Sequence, residues 1–302
     1  MARPPVHTCA HRSTAELMNK GLPNLPTTKS LTNIHNLSCL IIVNSWEKRM
    51  RKIDTSAEIE KIKVFLRDYL TSSGHQKYIV GVSGGIDSAL SAALATLAIG
   101  KENVIGLLLP YRNSHPDSSA DAKILCQTLD IEYQTIDISP MVDAWFDNYE
   151  PDANHLRRGN LMARSRMCVL YDLSAKYRAL VLGTCNLSEI MTGYFTQFGD
   201  SAAAVEPLAQ LYKTEVWQMA KEMEIPQKII DKIPTADLWP QQSDEADMGI
   251  SYADLDAILW AIHSMQDLDT FDVDKVKTVY KLIARSAFKR NPAPVPEAPC
   301  YL

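Results

Sequence analysis

A chain of 302 residues with 46% hydrophobic and 22% charged content can bury one sizeable core or two small ones. Its net charge of −5 argues against nucleic acid as the main partner, because phosphate backbones demand basic patches. The six cysteines (Cys9, Cys39, Cys126, Cys168, Cys185, Cys300) form no Cys-x-x-Cys pair, and no apolar run reaches the roughly 18 residues that span a bilayer, which argues against a zinc site, a disulfide framework and a membrane anchor and fits a reducing cytoplasmic setting.

Residues 1 to about 53 are rich in Pro, Ser, Thr, Asn and basic residues, with few acids and no sustained apolar period. Such a stretch does not hold structure by itself, so a disordered extension over 1–53 and a folded domain over 54–302 are expected. A basic, acid-poor start also suits a transit peptide, but its scattered prolines and Ser-Cys-Leu-Ile-Ile-Val patch make no amphipathic helix. Met50 stands directly before the first well-patterned helix, which favours an over-extended start.

From Thr55 to Leu70 the apolar positions Ile59, Ile62, Val64, Phe65, Leu66 and Tyr69 leave charges on the other face, an amphipathic helix. The stretch Tyr78 to Leu90 then reads as strand, tight loop and helix. Its Gly84-Gly85 pair lets the backbone take positive φ and lets a ligand approach without Cβ clashes. Ser83 and Ser88 add hydroxyls, and amides opening a helix near Asp87 direct partial positive charge into the loop, so an anion belongs there. A glycine pair between strand and helix also occurs as a plain turn. Asp87 beside a phosphate would be repulsive unless a cation lay between them, and Mg²⁺ is the natural mediator.

Val104 to Leu109 is a further strand, Asp117 to Leu129 a helix and Tyr133 to Ile138 a third strand. This alternation predicts an α/β fold, a doubly wound and mostly parallel sheet with helices on both faces and ligands at the carboxyl ends of its strands. Arg157 to Tyr177 reads as one long helix and Ala179 to Gly183 as a fourth strand. After it, Thr184 offers a hydroxyl and Glu189 a second carboxylate, which either shares the metal with Asp87 or complements a helix dipole.

Gly193 to Asp200 and the small residues after it read as a loop able to move. Lys213 opens a helix over Thr214 to Met223, where a cation opposes the macrodipole, so a phosphate or a neighbouring acid must compensate it. Ile233 to Pro240 is an aromatic turn framed by prolines, and Gln241 to Gly249 reads as polar and flexible. Ser251 caps a helix over Tyr252 to Met265, and a last helix runs from Val273 to Phe288 before a Pro-rich tail.

Ser-Gly-Gly-Ile-Asp-Ser resembles the pyrophosphate-binding loop of the ATP pyrophosphatase superfamily and not the Gly-x4-Gly-Lys loop of ordinary NTPases. With Ala163-Arg164-Ser165-Arg166-Met167, Gly183 to Glu189, Gly193-Tyr194-Phe195-Thr196, Leu211-Tyr212-Lys213-Thr214 and Pro234 to Leu238, it is similar in order and spacing to ammonia-dependent NAD synthetases, from about residue 55 to 296. The resemblance implies a homodimer and a two-step reaction, in which the carboxylate of deamido-NAD attacks the α-phosphorus of ATP and ammonia then attacks the acyl-adenylate.

By the same resemblance Gly81, Val82, Ser83, Gly84, Gly85, Ile86, Asp87 and Ser88, with Thr184, Lys213 and Thr235, contact ATP. Asp87 and Glu189 hold Mg²⁺, Lys213 acts at the phosphates, and Asp200 lies where ammonia arrives. Arg164, Gln197, Ala204, Phe288 and Lys289 fall at the deamido-NAD site, where the family usually has Lys for Gln197, Asp for Ala204 and His for Phe288. Asn of the family is Glu206 here. The irregular first 53 residues cannot contain a glutaminase domain, so free ammonia or a separate donor is expected. The departures leave two enzyme readings, a NAD synthetase with redistributed contacts or a relative that adenylates another carboxylic acid. A nucleotide-binding protein without turnover is the reading of another class.

Overall fold

The apolar runs of the sequence become four parallel strands, and the helices between them return the chain to the same edge each time. The computed structural model describes residues 49–296, so the readings of residues 1–48 and of the end of the tail lie outside the described residues. In chain order the helices and strands are α1 (Thr55–Ser72), β1 (Lys77–Gly81), α2 (Ile86–Ile99), β2 (Val104–Leu108), α3 (Pro116–Thr128), β3 (Glu132–Thr135), α4 (Ser139–Tyr149), α5 (His155–Tyr177), β4 (Ala179–Leu182), α6 (Leu187–Thr192), α7 (Lys213–Glu222), α8 (Gln227–Ile230), α9 (Asp244–Met248), α10 (Tyr252–His263), α11 (Val273–Arg285) and α12 (Ala287–Arg290).

The strand order is β3-β2-β1-β4, all pairs parallel, with Tyr78 opposite Val104 on one side and Leu180 on the other. Because successive side chains of a strand face opposite ways, each strand feeds two cores. Tyr78, Val80, Val104, Leu108 and Leu182 pack with α1, α2 and α7, while Ile79, Ile105, Leu107 and Val181 pack with α4 and α5. Burial on both faces explains why these strands read as continuous apolar runs. A third core joins α10 and α11 through Leu255, Ile258, Leu259, Val279 and Leu282.

Several boundaries differ from the sequence reading. The third strand ends at Thr135, although Ile136 and Ile138 still donate their N–H groups to the carbonyls of Leu108 and Pro110 at 2.9 and 3.0 Å. Gln241 to Gly249 is not wholly irregular, since α9 forms within it and ends at Gly249 with φ of 72°. The last helix breaks at Ser286, whose hydroxyl turns back to the Leu282 carbonyl at 2.7 Å. Residues 49–53, which composition assigns to the extension, are packed: Met50 is buried, and Arg51 forks onto Glu215 at 2.5 and 2.7 Å across the Tyr212 ring.

The order of strands positions the site. The connection from β1 goes to β2 on one side, while β4 is its neighbour on the other, so the order in which strands are added reverses between β1 and β4. Loops leaving the carboxyl ends of two such strands open a crevice between them. The loop after β1 is the glycine loop, and the loop after β4 carries Thr184 and leads to Glu189.

Candidate active site

Gly84 holds φ of 79°, and a Cβ there would meet the Ser118 carbonyl oxygen at 2.2 Å, so the loop lies directly on the first turn of α3. Gly85 caps α2 without a side chain, leaving the opening amides free of internal partners. The hydroxyls of the loop are spent on the loop itself. Ser88 Oγ donates to the Gly85 carbonyl at 3.0 Å and accepts the Ser83 N–H at 3.2 Å, and Ser83 Oγ accepts the Gly85 N–H at 3.2 Å. Backbone amides are therefore the donors this loop offers to an anion.

Asp87, in the first turn of α2, and Glu189, in the first turn of α6, face one cavity of about 740 Å³. Between them stands the ammonium of Lys213, 2.5 Å from Asp87 Oδ2 and 3.6 Å from Glu189 Oε1, with its side chain 2% exposed. Neighbouring acids thus compensate the cation at the start of α7 in this state of the protein. Asn186, fully buried, ties the two acids together. Its Nδ2 donates to Asp87 Oδ1 at 2.9 Å, its Oδ1 accepts the Glu189 N–H at 3.0 Å, and its own N–H donates to Glu189 Oε2 at 3.2 Å. The last two bonds are a capping box. Asn three residues before Glu was its visible signal, and the bond to Asp87 had none. Burial and then the charge of Asp87 push the Glu189 carboxyl well above the usual carboxylate range, whereas Asp87 and Glu189 together hold the Lys213 ammonium above its own, against burial. Both acids already accept one cation from one side, an arrangement that fits a shared oxygen-bound divalent ion.

The loop residues Gly81, Val82, Ser83, Gly85, Ile86 and Ser88 line the same cavity, as do Thr184, Asp200, Thr235 and Lys289; Gly84 is turned onto Ser118 behind it. Asp200 keeps open surface there while protein crowds the rest of it; that crowding pushes its carboxyl up, opposed by the Thr196 N–H at 2.9 Å. Water in the open cavity limits the rise until a ligand replaces it. Lys289 donates to the carbonyls of Gly193 and Phe195 at 2.8 and 2.7 Å. The remaining acceptor-side positions lie apart. Arg164 is exposed and donates to the Gln197 carbonyl at 3.2 and 3.3 Å, Ala204 packs against the core, and Phe288 is exposed.

Glu206 stands behind the cavity wall. Its carboxyl packs so closely on Gly183 that a Cβ there would lie 2.2 Å from it, and it accepts the Cys185 N–H at 3.2 Å. Burial pushes this acid from 4.5 up to about 8, with the Cys185 N–H opposing and Asp200 assisting. A raised carboxyl binds its proton more tightly in the folded state, so its contribution is full below 4.5 and is lost as pH climbs toward 8. Glu206→Gln, which mimics the neutral acid, is expected to melt higher than the parent at pH 8 and alike at pH 5. Equal melting at both values would mean that Glu206 ionises without cost.

A doubly wound parallel sheet, a glycine loop at its switch point and paired acids beside that loop define an α/β enzyme of the adenine nucleotide alpha-hydrolase-like class. The family described as NAD synthase matches residues 58–293, and the chain belongs to it. Similar relatives are the NH(3)-dependent NAD(+) synthetases of Trichlorobacter lovleyi, 45% identical over 75% of this chain and 85% of that one, and of Thermococcus kodakarensis, 44% identical over 80% and 97%. Among solved structures, the NMN synthetase from Francisella tularensis superposes with a TM-score of 0.76 at 32% identity, and the NH3-dependent NAD synthetase from Campylobacter jejuni with 0.72 at 34%. Each covers 82% of this chain and 100% of its own.

Proposed function

We propose that this chain is an ATP-dependent amide ligase that makes NAD from deamido-NAD and ammonia. The observation that carries the reading is the convergence of Asp87 and Glu189 on one point beside the glycine loop, in a chain of the NAD synthase family. A nicotinate carboxylate is a poor electrophile. Its oxygen attacks the α-phosphorus of ATP, the bond to the β-phosphate oxygen breaks, and pyrophosphate leaves. Ammonia then adds to the acyl carbon, AMP departs with the bonding electrons, and the nitrogen gives up a proton.

The protein's part is positioning and charge. The amides of Ile86, Asp87 and Ser88, which open α2 without internal partners, hold the outer phosphates, and Thr184 and Thr235 contact the same nucleotide. Asp87 and Glu189 would hold Mg²⁺, which supplies charge neutralisation at the phosphates. Lys213, released from the two acids, is then free to turn to the phosphate oxygens. Asp200 accepts the proton of the incoming nitrogen, and Lys289 and Arg164 serve the acceptor. A cytoplasmic homodimer completes the reading: Met141, Trp145 and Tyr149, on successive turns of α4, offer an exposed apolar row to a second copy.

A second reading, amidation of the corresponding mononucleotide, is favoured by the likeness to an NMN synthetase and by Gln197, Ala204 and Phe288 standing where the family's charged or ring donors are usual. Purified protein with ATP, Mg²⁺ and ammonium, assayed for pyrophosphate and amide product with either nucleotide, separates the two. Ala204→Asp would set a carboxylate against the core, so Gln197→Lys is the informative change. On the first reading it raises kcat/KM for deamido-NAD by about tenfold, the worth of one charge-assisted hydrogen bond, and leaves the mononucleotide unaffected. No gain with deamido-NAD would count for the second reading. No pyrophosphate with either acid would remove both.

A further inference from the structure

The cavity holds one buried-side cation whose charge the proposed reaction leaves unused. Among the described residues, Lys213 faces Asp87 and Glu189, Lys232 faces Asp121 at 3.3 Å, Lys289 is held by two carbonyls, and Arg285 lines the cavity from an exposed position where water solvates its charge. Arg166, on α5, also lines the cavity, yet its Nε donates only to the Leu109 carbonyl at 2.9 Å, and no described carboxylate lies within ion-pair distance of its guanidinium. Protein packed around it holds the guanidinium below its ordinary range, with Asp237 and Asp200 opposing that from farther off. A cation kept under protein with both Nη groups unspent is an arrangement that an anion completes.

The place of Arg166 decides which anion. Leu109 follows directly on β2, beside the glycine loop; Asp237 belongs to the segment of Thr235, on the nucleotide side; Asp200 lies on the acceptor side. Terminal phosphates are already served by the loop amides and by the Asp87, Glu189 and Lys213 group. What stands between the two sides is the phosphoryl group that changes partners.

We propose that Arg166 is a catalytic residue that grips the α-phosphoryl oxygens of the nucleotide, in the ground state and more strongly as charge builds on them during transfer to the carboxylate. This rests on the reading of the cavity as an adenylating site, and its planar fork matches two phosphoryl oxygens at once. The oxygens keep their bonds throughout; only the bond from phosphorus to the β-phosphate oxygen breaks and that to the carboxylate oxygen forms.

The test compares wild type, Arg166→Met and Arg166→Lys by titration calorimetry with AMP and with adenosine, by pyrophosphate release, and by thermal melting. Wild type is expected to bind AMP at least about tenfold more tightly than adenosine, the worth of a hydrogen bond to a charged group. In Arg166→Met that preference collapses while adenosine affinity stays within about threefold; KM for ATP rises by up to about tenfold, the ground-state share of the grip, and kcat falls by a further factor of about 10²–10³, as when one transition-state donor is lost. Arg166→Lys keeps the charge without the fork and falls between. Added guanidinium restores part of the kcat of Arg166→Met. The ligand-free Arg166→Met protein melts no lower than wild type, since it loses an uncompensated charge. An unchanged AMP preference overturns the assignment, and so does an Arg166→Met protein that fails to fold or loses adenosine binding, because packing would then be the role. AMP binding that depends on Arg166 without pyrophosphate release from either nicotinate nucleotide upholds the phosphoryl contact and removes the reaction instead.

Discussion

Lys213→Met is expected to destabilise the ligand-free protein by about 3–5 kcal/mol and to abolish turnover, because it leaves two carboxylates facing each other without the cation between them. The Lys213 side chain is 2% exposed, against 18% for Asp87 and 15% for Glu189, so water from the cavity reaches the acids in part and draws the cost toward the lower figure. The loss should grow with pH. Burial and Asp87 already push the Glu189 carboxyl up, so its stabilising effect is present while it stays protonated and fades as pH rises through its raised value. Urea unfolding at two pH values, with and without Mg²⁺, measures both effects. Mg²⁺ should restore much of the loss in the variant and add little to wild type, where the ammonium competes for the same oxygens. A variant within about 1 kcal/mol of wild type would mean that the acids do not depend on Lys213, since changes away from such features stay that small.

Asp87→Asn and Glu189→Gln should each lower turnover by about 10³ or more, the several kcal/mol that a metal supplies at a phosphoryl centre; Asp87→Asn also destabilises, because it leaves the buried Lys213 with only the more distant Glu189, whereas Glu189→Gln changes folding little. Glu189→Gln is the cleaner of the two. Gln at this third helical position still accepts the Asn186 N–H, so the capping box survives and only the charge is removed. It also takes away a buried carboxyl held above its usual range, so the variant should melt no lower than wild type at neutral pH. Steady-state pyrophosphate release with ATP, Mg²⁺ and ammonium gives the rates, and scanning calorimetry gives the melting. Wild-type rates in both variants would remove the shared-metal assignment, whereas low rates with early melting in Glu189→Gln would point to the capping role alone.

What could be read along the chain was what neighbours in the chain determine. The glycine loop follows from an apolar β-rich run, two residues free of Cβ and a run of helix formers, all within a dozen positions. The strands of both cores follow from apolar runs with turns between them, and the need of Lys213 for a negative neighbour follows from the helix dipole. The extent of the Val104 strand and the long helix ending at Tyr177 were legible for the same reason. Less legible were α4, a short apolar-rich helix whose Val142 and Phe146 pack on Ile79 and Ile105 of the sheet, and α9, a short acidic segment that ends at Gly249.

The identity of each partner was decided only when the sheet closed. Asp87 meets Asn186 across 99 positions and Lys213 across 126, and they meet because β4 lies beside β1 and not beyond β3. Strand order is a property of how two apolar faces are covered at once, which no single stretch encodes. Nor could the chain alone announce that the Arg166 guanidinium would meet no carboxylate among the described residues, since that is a fact about every element around it. Local pattern therefore determined which groups this protein has for the chemistry, and the order of its strands determined which of them share one cavity, because electrostatic interaction depends on distance through space and the chain specifies only distance along itself.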